Sequence, residues 1–332
     1  MNPETMTDAN SPDVFEPSQQ STDVKPVPIE EIQPLASSIV DNVKRVIVGQ
    51  DDVIEHVVVT MLARGHVLLE DVPGVGKTML ARSIARSVDC RFKRVQFTPD
   101  LLPTDITGVN VFNKQRREFE FQPGPVFANV VLGDEINRAP PKTQSALLEA
   151  MEEQQVTVDG ETRPLPRPYT VIATQNAVEP DRTYDLPLAE IDRFTKKLQL
   201  GYPEPDDEAE MLDRVVGTHP IESLAPVTDT ATLVGARQAV AEVTIEAPIR
   251  EYATRLATYT REHAELGASP RATVSLLRAA QARAAFSGRE YVLPDDIKTE
   301  APVVFSHRIR TRDGSRSGTD VVENALTSVP VE

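Results

Sequence analysis

Residues 70–78 read EDVPGVGKT. Gly74, Gly76, Lys77 and Thr78 have the types and the order of a phosphate-binding loop, the second half of the pattern G-x-x-x-x-G-K-[ST]. Glycines let a backbone wrap closely around an anion and aim its N–H groups inward at a helix start. Lys77 is placed to reach β- and γ-phosphates and Thr78 to hold magnesium, with Pro73, Val75 and Met79 completing the loop. The first position of the pattern is Asp71 in place of glycine. An unpaired carboxylate there would weaken the binding of a polyanion, whereas one that turns outward or caps a backbone amide costs little. The reading is that Asp71 leaves the site intact.

Two further stretches supply what a nucleoside triphosphate needs beyond a cradle. FANVVLGDE (127–135) is an apolar run ending in two acids. Asp134 suits a magnesium ion held through water, and Glu135 suits the polarising of an attacking water. Asn176 ends the next apolar run, PYTVIATQN (168–176), where its amide can hold that water against a terminal phosphate. Each residue also has a plain structural reading: a glycine-rich turn, a solvated strand end, a turn cap at Asn176.

These residues need a sheet to bring them together. HVLLE (66–70) is a short apolar run before the loop, and TMLARSIARSV after it has helical periodicity. FKRVQF, NVVLG, TVIATQ and KKLQL read as further strands, and KTQSALLEAMEE (142–153) as an amphipathic helix. Strands alternating with helices predict an α/β fold with a parallel sheet covered on both faces. In such sheets ligands sit beyond the carboxyl ends of the strands. Hairpins are expected at 109–121 and at 156–165, the second around Asp159-Gly160. The core is expected over 29–203, and the helical patterns beyond it predict a separate all-α domain over 204–312. Residues 1–28 read as a disordered acidic tail, and 313–332 as a loose tail. Helical spacing over 33–63 breaks at Val48-Gly49-Gln50.

Composition narrows the partners. The 332 residues carry 35 Lys+Arg against 51 Asp+Glu, a net charge of −16. Such a surface repels nucleic acid and anionic lipid unless a basic patch overrides it. Only 9 of the 35 basic residues are lysine, and an acid-rich, lysine-poor chain suggests a salt-adapted, halophilic source. Unchanged stability between low and molar KCl would refute that. One cysteine, Cys90, excludes an internal disulfide and a cysteine-built metal site. No run approaches a membrane span. The first twenty residues have neither a basic stretch nor an apolar core, so no signal peptide is expected and the cytoplasm is the expected compartment.

The stretches DEINRAPPKTQSALLEAMEE (134–153), FTPDLLPTDITG (97–108), VIATQN (171–176) and GASPRA (267–272) extend the match. With the GKT loop, the chain from about residue 30 to 310 resembles the MoxR-type AAA+ ATPases, relatives of the magnesium chelatase ATPase subunit. The resemblance implies a P-loop NTPase (AAA+) three-layer α-β-α core followed by a small all-α lid domain, with ATP and Mg2+ as cofactors. It places Gly74, Gly76, Lys77 and Thr78 in Walker A, Asp134 and Glu135 in Walker B, and Asn176 at sensor 1. In IDRFTKK, Arg193 falls where the family has an arginine finger, which neutralises charge on a neighbouring subunit's γ-phosphate. Arg271 matches sensor 2, starting a lid helix and touching the γ-phosphate from the helical domain. Gly49 and Gln50 resemble the segment that lines the adenine. Asn137 and Arg138 lie in the family signature without an assigned role. The hairpins fit that branch's helix-2 insert and pre-sensor hairpin.

The resemblance further implies a homo-oligomeric ring, of six subunits, acting as a chaperone in the maturation or assembly of other proteins or metal-cofactor complexes. A partner carrying a von Willebrand factor A domain is expected. The same motor motifs would serve a DNA-directed AAA+ ATPase of the helicase or branch-migration type, a metal-chelatase motor subunit, or a nucleotide-gated scaffold. The acidic balance and the lack of a DNA-binding module stand against the first. Glu135 and Arg193 together stand against the scaffold.

Overall fold

The computed structural model describes residues 24–176, 184, 186–215, 219–312 and 316–331. Most of the expected acidic tail therefore lies outside the described residues. Five strands, β1 (Val67–Asp71), β2 (Phe92–Gln96), β5 (Val130–Asp134), β8 (Thr170–Asn176) and β9 (Lys196–Leu198), form one parallel sheet in the order β2-β5-β8-β1-β9. Two antiparallel hairpins stand apart from it: β3 (Gly108–Asn113) with β4 (Glu118–Pro123), and β6 (Gln155–Val158) with β7 (Glu161–Pro164).

The central strands are buried on both faces, as their unbroken apolar runs require. Alternate residues feed two cores. Val67 and Leu69 join Val130, Leu132 and Ile172 in one cluster, while Leu68 joins Val131, Val171 and Ala173 in the other. Helices α4 (Pro103–Thr107) and α5 (Pro141–Glu153) close the second face, with Ile106, Leu147, Leu148 and Met151 inward. Helices α1 (Ile29–Lys44), α2 (Asp51–Leu62) and α3 (Lys77–Ser87) close the first.

The carboxyl-terminal part is helical: α7 (Pro205–Val215), α8 (Thr230–Ala241), α9 (Ala247–His263), α10 (Pro270–Phe286) and α11 (Pro294–Phe305). Its apolar side is continuous with the core under α1 and α2, because alanine-rich α10 lets helices approach closely. Within 313–332, expected to be loose, the described residues 316–331 depart from that reading. They contain helix α12 (Gly318–Ser328), started by a Ser317–Asp320 capping box and held by buried Val321, Val322 and Ala325. The polar surroundings hide three apolar residues whose spacing makes one helical face. Among the described residues no helix is long and apolar enough to cross a membrane.

Candidate functional site

The phosphate loop leaves the carboxyl end of β1 and runs into α3, whose first turn begins at Lys77. Gly74 and Gly76 take φ of +89° and +92°, a left-handed conformation that glycine adopts without strain. The first N–H groups of α3 have no intrahelical acceptors and face the loop's concavity. Lys77 Nζ donates to the carbonyls of Asp71 and Val72 at 2.9 and 3.1 Å. Partial burial lowers its pKa, while the carboxylates of Asp71, Asp134 and Glu135 act in the opposite sense.

Asp71 is buried and points away from the loop's concavity. Its Oδ1 accepts the Val72 N–H, and its Oδ2 accepts the N–H groups of Leu200 and Gly201 at 2.7 and 2.8 Å. A glycine at this position would leave those amides without that acceptor.

Across the loop, Asp134 and Glu135 leave the end of β5. Buried Thr174 on β8 orients both: its hydroxyl donates to Asp134 Oδ1 at 2.7 Å and accepts the Glu135 N–H at 2.8 Å. Glu135 takes the left-handed conformation, φ 56° and ψ 50°, which a non-glycine residue adopts at a cost of about 1–2 kcal/mol. Glu135 Oε2 accepts from Gln96 Nε2 and Arg138 Nη1, both at 2.8 Å. Asp134 Oδ2 accepts from Arg94 Nε and Nη2 at 2.9 and 2.5 Å, and Arg94 also donates to Gln96 Oε1 at 2.6 Å. One chain of polar contacts therefore joins both acids through Arg94 and Gln96.

Nine of the expected site residues line a cleft of about 290 Å³ at the carboxyl ends of β1, β5 and β8, together with Arg94 and Gln96. Pro73, Gly74, Gly76, Lys77, Thr78 and Met79 form one wall, and Asp134, Glu135 and Asn176 the other. Val75 instead packs against the apolar core. Asn176 lies level with Asp71 in the β1–β8 register. A cation already sits against Asp134 in the form of Arg94, so the position accepts positive charge. Among the described residues no three His, Cys, Asp or Glu side chains gather as a metal cage. One carboxylate and one hydroxyl suit a magnesium ion that keeps water and phosphate oxygens as its other ligands.

Gly49 and Gln50 line a neighbouring cavity of about 800 Å³ with Ile47, Val48 and Leu200. Gly49 has φ +71°, and a Cβ there would fall 2.2 Å from Asp207 Oδ2 on α7. Leu200, bonded through its N–H to Asp71, forms a common border between this cavity and the phosphate loop.

Arg193 and Arg271 are brought to each other but not to the cleft. Arg193 follows the short helix α6 (Leu188–Ile191) and precedes β9, whose Lys196 lies opposite Val67 at the start of β1. Asp71 is four residues further along β1, about 13 Å at 3.3 Å per residue. Arg193 thus belongs to the amino end of the sheet. Arg271, in the first turn of α10, meets it there: both guanidiniums pair with Glu152, Arg193 Nη1 at 3.1 Å and Arg271 Nη2 at 2.6 Å. The neighbouring Asp192 pairs with Arg308.

Arg94 and Gln96 lie in no motif, and Thr174 and Glu152 lie within matching stretches that give them no role. The usable signal was alternation: Arg94 and Gln96, two apart in FKRVQF, share a face at a strand end. Which strand lies beside them was not readable.

The comparisons agree with this architecture. Residues 66–196 match the ATPase family associated with various cellular activities (AAA), and residues 256–325 match the AAA lid domain. The Bacillus subtilis protein YeaC is 49% identical over 84% of this chain and 88% of its own length. Chaperone MoxR1 of Mycobacterium tuberculosis is 43% identical over 80% of this chain and 73% of its own. A crystal structure from Cytophaga hutchinsonii, provisionally described as an ATPase, superposes with a TM-score of 0.86 at 37% identity, covering 92% of this chain and 97% of its own. Fold and site define a P-loop ATPase of the AAA+ class with a helical lid. The chain belongs to its MoxR family.

Proposed function

We propose that the protein is a magnesium-dependent, ATP-hydrolysing motor that works as a MoxR-type chaperone on other proteins. The observation that carries this is the meeting of the Gly74–Thr78 loop, Lys77, Asp134, Glu135 and Asn176 in one cleft at three adjacent strand ends. Backbone N–H groups of the loop and the Lys77 ammonium would bind the β- and γ-phosphates. Thr78 and Asp134 would hold the magnesium ion, which when bound supplies charge neutralisation at the phosphates. Glu135 would accept a proton from the attacking water, and Asn176 would orient that water. Gly49 and Gln50 would border the adenine.

Arg193 lies at the far end of the sheet from its own cleft, which supports its serving a neighbouring chain and hence a homo-oligomeric ring, with six subunits the expected count. The cytoplasm is the proposed compartment. The proposal includes a client-maturation role with a partner bearing a von Willebrand factor A domain; of this, the name of the relative Chaperone MoxR1 supports the chaperone part alone.

The test begins with phosphate release by the purified chain with and without magnesium. Glu135→Gln should keep nucleotide affinity and lose turnover by about a hundredfold or more. Turnover equal to that of the wild type would refute the assignment. The same variant, loaded with ATP and magnesium, should retain a partner bearing a von Willebrand factor A domain from its native cytoplasm. Recovery of replication or repair proteins with nucleic acid would refute the cellular role while leaving the cleft assignment standing.

A further inference from the structure

Glu152 occupies the last turn of α5 and holds one guanidinium on each carboxylate oxygen. Arg271 Nη2 lies 2.6 Å from Oε1, and Arg193 Nη1 lies 3.1 Å from Oε2. Arg193 Nη1 also donates to the Leu148 carbonyl at 3.0 Å. The two arginines come from distant parts of the chain, one before β9 and one at the start of α10. Two cations converge on one point only with an anion between them.

Beneath this cluster the backbone is tied by a separate set of contacts. The Asp192 carboxylate accepts from Arg308 Nε at 2.6 Å and from Ser269 Oγ at 3.1 Å. Buried Arg308 also donates to the carbonyls of Asp192 and Phe194. The turn bearing Arg193 and the turn bearing Arg271 are therefore joined independently of Glu152. What Glu152 adds is the position of the two guanidinium ends.

The cluster is open to solvent: the side chains of Arg193, Glu152 and Arg271 are 29%, 37% and 49% exposed. Ion pairs at that exposure are weak. Hydrogen bonds from arginine to phosphate are charge-assisted and can be bidentate, and a terminal phosphate carries more charge than a carboxylate. Such a phosphate brought to this surface would displace Glu152 and meet both arginines already converged.

We propose that Glu152 is a positioning residue for a composite anion site, a carboxylate that holds Arg193 and Arg271 on one point until the terminal phosphate of a neighbouring chain's nucleotide replaces it. This rests on the reading of Arg193 as a residue acting on a neighbour. Glu152 touches neither nucleotide nor water in this scheme, and its effect passes wholly through the two guanidiniums.

The test uses the full-length chain, with kcat and KM for ATP measured separately. Glu152→Gln keeps the size of the side chain and removes its charge. It should lower kcat by about tenfold to a hundredfold, leave KM within a factor of about two, and leave the unfolding midpoint unchanged. Glu152→Asp should recover part of kcat. The decisive measurement mixes chains. Lys77→Ala has a disabled cleft but an intact arginine cluster, so adding it to Glu152→Gln should raise turnover per functional cleft. Turnover that only falls in proportion to dilution would overturn the proposal, as would a Glu152→Gln kcat within twofold of wild type. Arg193→Ala separates the two readings. If it abolishes turnover while Glu152→Gln does not, only the role of Glu152 fails. If it leaves turnover intact, the neighbour-acting reading fails, and this proposal with it.

Discussion

The Asp71 carboxylate accepts the backbone N–H of Leu200 at 2.7 Å, joining the first residue of the phosphate loop to the segment that leaves β9 for α7. The acid at the mouth of the cradle is thus a cap on backbone amides, three in all with Val72 and Gly201. Its charge faces N–H dipoles and not the cleft.

Asp71→Gly, which restores the more usual loop residue, should therefore destabilise the protein. A buried N–H left without a partner costs about 1–3 kcal/mol, and Leu200 and Gly201 each lose one. The loss expected in urea unfolding is about 2–4 kcal/mol, with no gain in ATP affinity. An unchanged midpoint, or tighter nucleotide binding, would show that the carboxylate faces the phosphates after all.

Thr174 offers a second test, because one hydroxyl serves both acids. Thr174→Val keeps the shape, removes the donor to Asp134 and leaves the left-handed Glu135 N–H without its acceptor. The expected result is a stability loss of about 1–2 kcal/mol and a fall in kcat of about tenfold or more, through misplacement of Glu135. Steady-state kinetics on a variant shown by circular dichroism to be folded would decide it. Retained kcat would mean that Glu135 is positioned by Gln96 and Arg138 alone.

A buried ion cluster joins β9 to the helical part. Lys196 Nζ lies 2.6 Å from Glu300 Oε2, both fully buried, and Arg283 Nε lies 2.8 Å from Glu300 Oε1. Burial lowers the Lys196 ammonium to about 8, while the cations around Glu300 keep its carboxyl well below the usual range. Removing one partner strands buried charge, so Glu300→Gln should cost about 3–5 kcal/mol. The double change Lys196→Met with Glu300→Leu should recover much of that, since Arg283 keeps Glu55 at 3.1 Å. A double variant as unstable as the sum of its parts would argue against this account.

The sheet and its strand ends were legible because buried parallel strands write themselves as unbroken apolar runs, and VLLE, NVVLG and TVIAT are such runs. Motif spacing also located the loop residues, Asp134, Glu135 and Asn176 that line the cleft, but not Arg94 and Gln96. What was not legible depends on pairing across the fold. Nothing in FKRVQF says that Arg94 will meet Asp134, because that contact follows from β2 lying beside β5. Nothing in GASPRA says that Arg271 will meet Glu152 rather than face the cleft, because that depends on where α10 docks. Helix α12 was obscured by composition: three apolar residues suffice to bury one face when α9 and α11 already provide the surface.

The last prediction concerns acid. His66, at the start of β1, is buried with both ring nitrogens engaged: Nδ1 accepts the Val171 N–H at 2.9 Å, and Nε2 lies 3.2 Å from the Met151 carbonyl. A backbone N–H can only donate, so Nδ1 must stay unprotonated and Nε2 must carry the hydrogen. Burial lowers the pKa from 6.5 to about 4, with the Arg237 guanidinium adding to the effect. The folded state thus resists a proton that the unfolded state accepts. Stability from this group is complete above pH 6.5 and is lost as pH falls from 6.5 towards 4, at up to about 1.36 kcal/mol per pH unit. Over that whole range the loss is about 3 kcal/mol. Burial also depresses His56 and His307, which act in the same direction. Denaturant unfolding of the wild type between pH 7.5 and 4.5 should show this decline. His66→Gln should start less stable but decline less steeply, by about one proton's worth. Parallel curves for the two proteins would rule out His66 as a source of the acid sensitivity.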